Sequence, residues 1–219
     1  MFLADLLQSR RRQTLPYIGV AANVAVIGIS GVGKSSFINA IRGLTADDVG
    51  AAQVGVVETT MEITAYTHPD HPQIKFWDLP GVGTDQFPQA KYLRLISVDR
   101  YDFFIIMTAS RFFETDTWIV KEITRRGRKF VFVRTKVDQD VRSNRRAHPR
   151  THSEAAVIEE ILTSTKQHLS DSGQSDAEVF LIDSYVPRKY DFERLSKRLL
   201  YELPESKIAA MTKRRCVIS

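Results

Sequence analysis

The segment Gly28-Ile29-Ser30-Gly31-Val32-Gly33-Lys34-Ser35 constrains this chain more than any other feature. Three glycines at fixed offsets let the backbone curl until successive N–H groups converge on one anion, and a helix that starts there adds its positive end. An apolar strand, Asn23 to Ile27, runs into the segment. A helical pattern, Lys34 to Arg42, runs out of it and stops at Gly43. That context predicts a phosphate cradle in which Gly28, Ser30, Gly31, Val32, Gly33, Lys34, Ser35 and Ser36 surround the phosphates of a nucleotide. Lys34 is expected to reach the β- and γ-phosphates and to serve catalysis there, and the Ser35 hydroxyl to coordinate Mg²⁺.

The rest of the chain repeats the strand and helix alternation. Strand-like runs recur at Met61 to Tyr66, Ile74 to Trp77, Tyr101 to Met107, Phe130 to Val133 and Val179 to Ile182. Between them lie helical patterns at Gln89 to Ser97, Glu114 to Arg126, Ser153 to Leu169 and Asp191 to Leu203. In the last, Phe192, Leu195, Leu199 and Leu203 form one stripe, with Asp191 as the expected N-cap and Pro204 as the end. Strands alternating with helices predict an α/β fold of the P-loop NTPase type: three layers, with a mostly parallel six-stranded sheet covered by helices on both faces. Phe103-Phe104-Ile105-Ile106-Met107 has no polar alternation, so it reads as a central strand. Three stretches read as long loops: Leu44 to Thr60, Asp78 to Pro88, and the polar, basic Asp138 to Thr151. At 219 residues one domain is expected. The division is an N-terminal extension over 1–22, a nucleotide-binding domain over 23–203 and a basic tail over 204–219.

Two further motifs specify the nucleotide. Asp78-Leu79-Pro80-Gly81 follows a strand, where the carboxylate can reach the waters around the magnesium and Gly81 can turn toward a γ-phosphate. Thr135-Lys136-Val137-Asp138 follows another, matching the Asn/Thr-Lys-x-Asp signature of guanine readers. Asp138 can accept from the ring N–H and the exocyclic amine of guanine, a donor pair that adenine lacks, while the Lys136 stem lies along the base. The order and spacing of the three motifs predict a GTPase that takes GTP, GDP and Mg²⁺. A second hydroxyl for the metal is expected from Glu58-Thr59-Thr60-Met61, with Thr60 as the catalytic and metal-binding choice and Thr59 as the alternative. Asp183-Ser184, after the sixth strand, is expected to offer a backbone contact to the base. Where Ras-like enzymes carry a glutamine to orient the attacking water, this chain has Val82, which predicts slow intrinsic turnover.

Composition excludes little. No apolar run approaches the roughly 20 residues that a membrane-spanning helix needs, and Met1 to Leu7 followed by Arg10-Arg11-Arg12 has the wrong order for a secretory signal. The single cysteine, Cys216, has no internal partner for a disulfide, which fits a cytosolic setting. The net charge is +5, with basic clusters at Arg125 to Lys129 and Arg142 to Arg150. Aromatic residues do not interleave with them, so no specific nucleic acid is expected.

These motifs resemble the interferon-inducible immunity-related GTPases. The likeness is carried by Gly28 to Ile41, Val54 to Met61, Phe76 to Thr84, Tyr101 to Ile106 and the run Phe130 to Asp138, and it extends from about Asn23 to Leu203. The resemblance implies cell-autonomous defence against intracellular pathogens, with GTP-dependent homo-oligomerisation at membranes. Members usually carry helical segments on both sides of this domain, and at the base-side loop they tend toward Ser-Asn where Asp183-Ser184 stands here. The last four residues, Cys216-Val217-Ile218-Ser219, form a prenylation box after Lys213-Arg214-Arg215, its terminal Ser favouring farnesyl. A lipid on Cys216 and the adjacent basic residues together predict attachment to the cytosolic face of a membrane, in place of a helical targeting region. Two readings therefore follow: a membrane-tethered GTPase, or a GTP-loaded switch or scaffold with negligible turnover. A nucleotide-independent adaptor using the basic loop at Arg142 to Arg150 is a third.

Overall fold

A computed structural model describes residues 22–55, 62–110 and 112–203. Six strands form the sheet: Ala22–Ile27 (β1), Thr64–Thr67 (β2), Ile74–Asp78 (β3), Phe103–Thr108 (β4), Lys129–Arg134 (β5) and Val179–Leu181 (β6). Their spatial order is β2-β3-β1-β4-β5-β6. Every neighbouring pair is parallel except β2 with β3, which is antiparallel at the edge. Among the described residues six α-helices accompany them: Lys34–Ile41 (α1), Gln89–Leu95 (α2), Glu114–Arg125 (α3), Val137–Ala147 (α4), Glu154–Asp171 (α5) and Phe192–Lys197 (α6). The chain continues past α6 in a wide π-helical turn, Arg198–Glu202.

β4 is buried at every position, as its unbroken apolar run requires when helices cover both faces. Its side chains alternate between two cores. Phe104 and Ile106 join α2, α3, α4 and α5 through Tyr92, Ile119, Val120, Val141 and Val157. Phe103, Ile105 and Met107 face α1 and α6, through Phe37, Ile38, Phe192 and Leu195. Burial of one such side chain contributes roughly 1.5–3 kcal/mol. The two cores fix the strand order and thereby line up the strand ends that carry the motifs.

One expectation from sequence is overturned. The stretch after Asp138 is a helix, α4, and not a basic loop. Only Val137 and Val141 among its residues are buried, so its apolar face is a single i,i+4 pair and leaves almost no periodic signal. Its polar residues stabilise it instead. Asp138 and Asp140 sit in the first turn and Arg145 and Arg146 in the last, each sign at the end where the helix dipole favours it. The i,i+4 pair Asp138–Arg142 closes at 2.5 Å.

Smaller shifts have local causes. β2 begins at Thr64, three residues later than expected, because this edge strand is mostly exposed and has no apolar face to mark it. Asp191 does occupy the N-cap position of α6, but its carboxylate accepts the backbone N–H of Leu181 at 2.9 Å, which fastens the helix to β6. Pro204 lies outside the described residues.

Candidate functional site

Three motifs meet at the C-terminal ends of the parallel strands, where open α/β sheets place their ligands. β1 leads into the phosphate loop. Gly31 and Gly33 there have φ of 79° and 91°, a left-handed pair that only glycine adopts without strain. Gly28 is needed for a different reason: a Cβ on it would stand 2.3 Å from the Met107 carbonyl oxygen. Lys34 is buried, and its Nζ donates across the loop to the carbonyls of Ile29 at 3.1 Å and Gly28 at 3.4 Å.

β3 runs parallel to β1 with Asp78 opposite Val26. The register therefore brings the Asp78 carboxylate beside the first residues of α1, where its Oδ2 accepts the Ser35 hydroxyl at 2.6 Å. A hydroxyl and a carboxylate at this separation fit Mg²⁺, a hard cation that keeps several waters and binds few protein oxygens.

The segment after Asp78 is held rigidly. Tyr92, fully buried in α2, donates its hydroxyl to the Pro80 carbonyl at 2.8 Å. Burial pushes the Tyr92 phenol well above its ordinary pKa, so it stays a donor through the neutral range. Val82 N–H donates to the Gly28 carbonyl at 3.2 Å. Gly81 then lies directly against the loop, where a Cβ would come within 2.7 Å of the Ser30 nitrogen. The Val82 side chain turns into the core, so position 82 presents no polar group to a water.

β5 delivers the third motif. Lys136 adopts left-handed geometry, φ 57°, immediately before α4. Thr135 is buried, and its hydroxyl lies 2.7 Å from the Val32 carbonyl and 3.2 Å from that of Thr108. Asp183 is also buried, its carboxylate accepting the Tyr185 N–H at 2.8 Å. This side chain thus shapes the turn that carries Ser184 and Tyr185 to the cleft.

A cleft of about 280 Å³ gathers these parts. It is lined by Ser30 to Ser36 and Gly81 at one end, and by Thr135, Lys136, Asp138, Asp183 and Ser184 at the other. Gly28 and Asp78 stand behind it. Gln53, Val54, Gly55, Gln139 and Tyr185 also line it, none of which the motifs singled out. Gln53 to Gly55 arrive because Asn39, buried in α1, clamps Ala52 from both sides: Nδ2 donates to its carbonyl at 2.8 Å and Oδ1 accepts its N–H at 2.6 Å. Tyr185 keeps 78% of its surface exposed at the mouth; its place after the base-side loop was the only available signal. Thr59, Thr60 and Cys216 lie outside the described residues.

The family model for interferon-inducible GTPases matches residues 17–216. The chain belongs to this family. Interferon-inducible GTPase 5 of Rattus norvegicus is 45% identical over 181 residues, which cover 83% of this chain and 39% of the relative. Interferon-inducible GTPase 1 of Mus musculus is 42% identical over 182 residues, 83% of this chain and 44% of that protein. This interferon-inducible GTPase chain thus spans less than half the length of either relative. Two solved structures share its fold at low identity. Era, in complex with MgGDPNP and a segment of 16S ribosomal RNA, superposes with a TM-score of 0.56 at 18% identity, over 82% of this chain and 56% of that one. Toc33 from Arabidopsis thaliana, with Mg²⁺ and GMPPNP, gives 0.52 at 18% identity, over 83% and 75%.

Proposed function

We propose that this chain binds guanine nucleotide with Mg²⁺ and hydrolyses GTP to GDP, slowly when alone. The observation that carries the reading is one cleft lined by the glycine-rich loop at one end and by Lys136 and Asp138 at the other. Backbone N–H groups of Gly31 to Ser35 would hold the β-phosphate, and the Lys34 ammonium would exchange its loop carbonyls for phosphate oxygens. Ser35 and Asp78 would hold the magnesium, with Thr60 as the second hydroxyl. The ion would offset negative charge on the phosphates. The Lys136 stem and the exposed Tyr185 ring would flank the base while Asp138 accepts from its N1–H and 2-amino group.

Val82 favours slow turnover, because its side chain is in the core and orients nothing. A group from a second copy would have to supply that function, which supports GTP-dependent self-association. Kinship with immunity-related GTPases supports a role in cell-autonomous defence. The pattern Lys213-Arg214-Arg215-Cys216 supports a lipid-anchored location on a cytosolic membrane face; mass spectrometry of the Cys216 peptide from cells would test it, and an unmodified thiol would oppose it.

The decisive experiment measures GTP turnover over a range of protein concentrations, with GTP and GDP affinity in parallel, ATP as control and Lys34→Ala as the disabled site. Turnover per molecule that rises with concentration supports an assembly-activated GTPase. Tight binding with flat, negligible turnover supports the switch reading. Retained GTP binding by Lys34→Ala would overturn the site assignment.

A further inference from the structure

Behind the guanine motif lies a buried cation that the site described so far does not use. Arg134, the last residue of β5, has a side chain only 7% exposed. Its Nη2 donates to Asp140 Oδ2 at 2.5 Å, while Nε and Nη1 are buried without a hydrogen-bond partner among the described residues. Asp116, in the first turn of α3, is buried as well. Burial raises its carboxyl pKa, opposed by the Phe113 N–H and by the charge of Arg134.

Burying a guanidinium is costly, and apolar replacement of buried ion pairs is often neutral or stabilising. Fold stability is therefore a weak reason for Arg134 to be there. Its position offers a better one. Arg134 is anchored in the sheet, opposite Thr108 of β4 and Leu181 of β6. Asp140 and Asp138 are two residues apart in α4, so at about 100° per residue they point to nearly opposite sides of the helix. Asp138 lines the cleft, and Asp140 is held from behind by Arg134. Val137 and Val141 are the buried residues of this helix, and its other ties lie toward its far end, where Asn144 Oδ1 meets His152 Nδ1 at 2.8 Å and Arg145 lies 3.9 Å from Glu154. Two small apolar side chains resist rotation about the helix axis poorly, whereas an ion pair to a fixed strand resists it well.

Resting on the reading of this cleft as a guanine site, we infer that Arg134 is a positioning residue for base recognition: through Asp140 it fixes the rotation of α4 and so aims the Asp138 carboxylate at the guanine 2-amino group. The phosphate end of the cleft does not depend on it. Loss of Arg134 should therefore weaken discrimination at the purine 2-position and leave phosphate binding nearly unchanged.

The test compares GDP with IDP, which differs only in lacking the 2-amino group, by calorimetric titration of the wild-type chain, Arg134→Met and Asp140→Asn, with thermal melts reporting folding. The wild type should prefer GDP by about tenfold or more, as expected for a hydrogen bond to a charged acceptor. In Arg134→Met the ratio should fall by about threefold or more, GDP losing more affinity than IDP because IDP meets Asp138 through its N1–H alone. Asp140→Asn should move it in the same direction and serves if Arg134→Met does not fold. An unchanged GDP-to-IDP ratio in a folded variant, including a parallel loss of both affinities, would overturn the inference. Absence of GDP binding in the wild type would instead overturn the guanine site itself.

Discussion

The Thr135 hydroxyl stands 2.7 Å from the Val32 carbonyl oxygen, joining the guanine motif to the phosphate loop across a separation of 103 residues. The two ends of the nucleotide cleft are thus braced against each other before any ligand arrives. The same hydroxyl lies 3.2 Å from the Thr108 carbonyl, so β4, β5 and the loop share one polar contact in a buried place.

Replacing Thr135 with Val keeps the shape and removes this donor. A buried carbonyl left without its partner costs about 1–3 kcal/mol. Urea unfolding of Thr135→Val should show a loss in that range, and Thr135→Ser should recover most of it. A Val variant as stable as wild type would mean that the brace is not used.

Asp138→Asn should change the base that is read. An amide presents an N–H where the carboxylate presented only acceptors, which opposes the N1–H and 2-amino donors of guanine and suits the 2-carbonyl of xanthine. GDP affinity should fall on the order of a hundredfold or more, and XDP should become the better ligand in direct titration. Equal loss of both would place the base elsewhere.

Asn39→Ala removes both hydrogen bonds to Ala52 and leaves a buried N–H and a buried carbonyl without partners, a cost of about 2–6 kcal/mol from two such groups. Gln53, Val54 and Gly55 follow directly, so hydrogen exchange should quicken at residues 52–55 before it changes in β1 or β4. Uniform acceleration over the whole chain would assign Asn39 to global stability alone.

Stability should also fall on mild acidification. His68 is buried; its Nε2 meets the Ile41 carbonyl at 2.9 Å, and its Nδ1 accepts the N–H groups of Asp70 and His71 at 3.2 Å each. Nδ1 can accept only when unprotonated. Desolvation lowers the His68 pKa below its ordinary value, against the pull of the Ile41 carbonyl and Asp70, with His71 and Arg42 lowering it further. Desolvation lowers that of His71 too. A depressed pKa means that the unfolded chain binds protons first. The stabilising contribution is therefore present above about pH 6.5 and lost as pH falls below it. Thermal melts from pH 7.5 to 5 should show this slope, and His68→Gln should flatten it.

The parts of the fold with strong patterns were legible in the sequence. β4 announced itself through five consecutive apolar residues, and the phosphate loop through glycine offsets that only a left-handed turn and a close backbone approach require. The helix α4 did not, because two valines carry its whole apolar face and its support comes from charges at positions that a solvated loop also fills. Asp138 was recognised by its motif, yet the helix that aims it was invisible. Asn39 and Arg134 were missed for a related reason. A lone Asn inside a helix and an Arg at a strand end have ordinary chemistry until the fold shows that each is buried against a specific partner. Arg42 and Arg100 are alike in this: Arg42 donates to the carbonyls of Thr67 and Gly50, and the Arg100 guanidinium sits 3.8 Å over the Trp77 ring.

On the proposed reading the phosphates would meet mainly main-chain amides and glycine turns, whereas the base would meet one carboxylate, one lysine stem and one exposed tyrosine. The two ends consequently differ in how they tolerate sequence drift. Apart from Lys34, side-chain exchange around the loop leaves its amides in place, and loss of Gly28, Gly31 or Gly33 dismantles it. At the base end a single side-chain change redirects the choice of ligand. Descendants of such a chain would hold on to triphosphates through extensive divergence while exploring different bases by single steps.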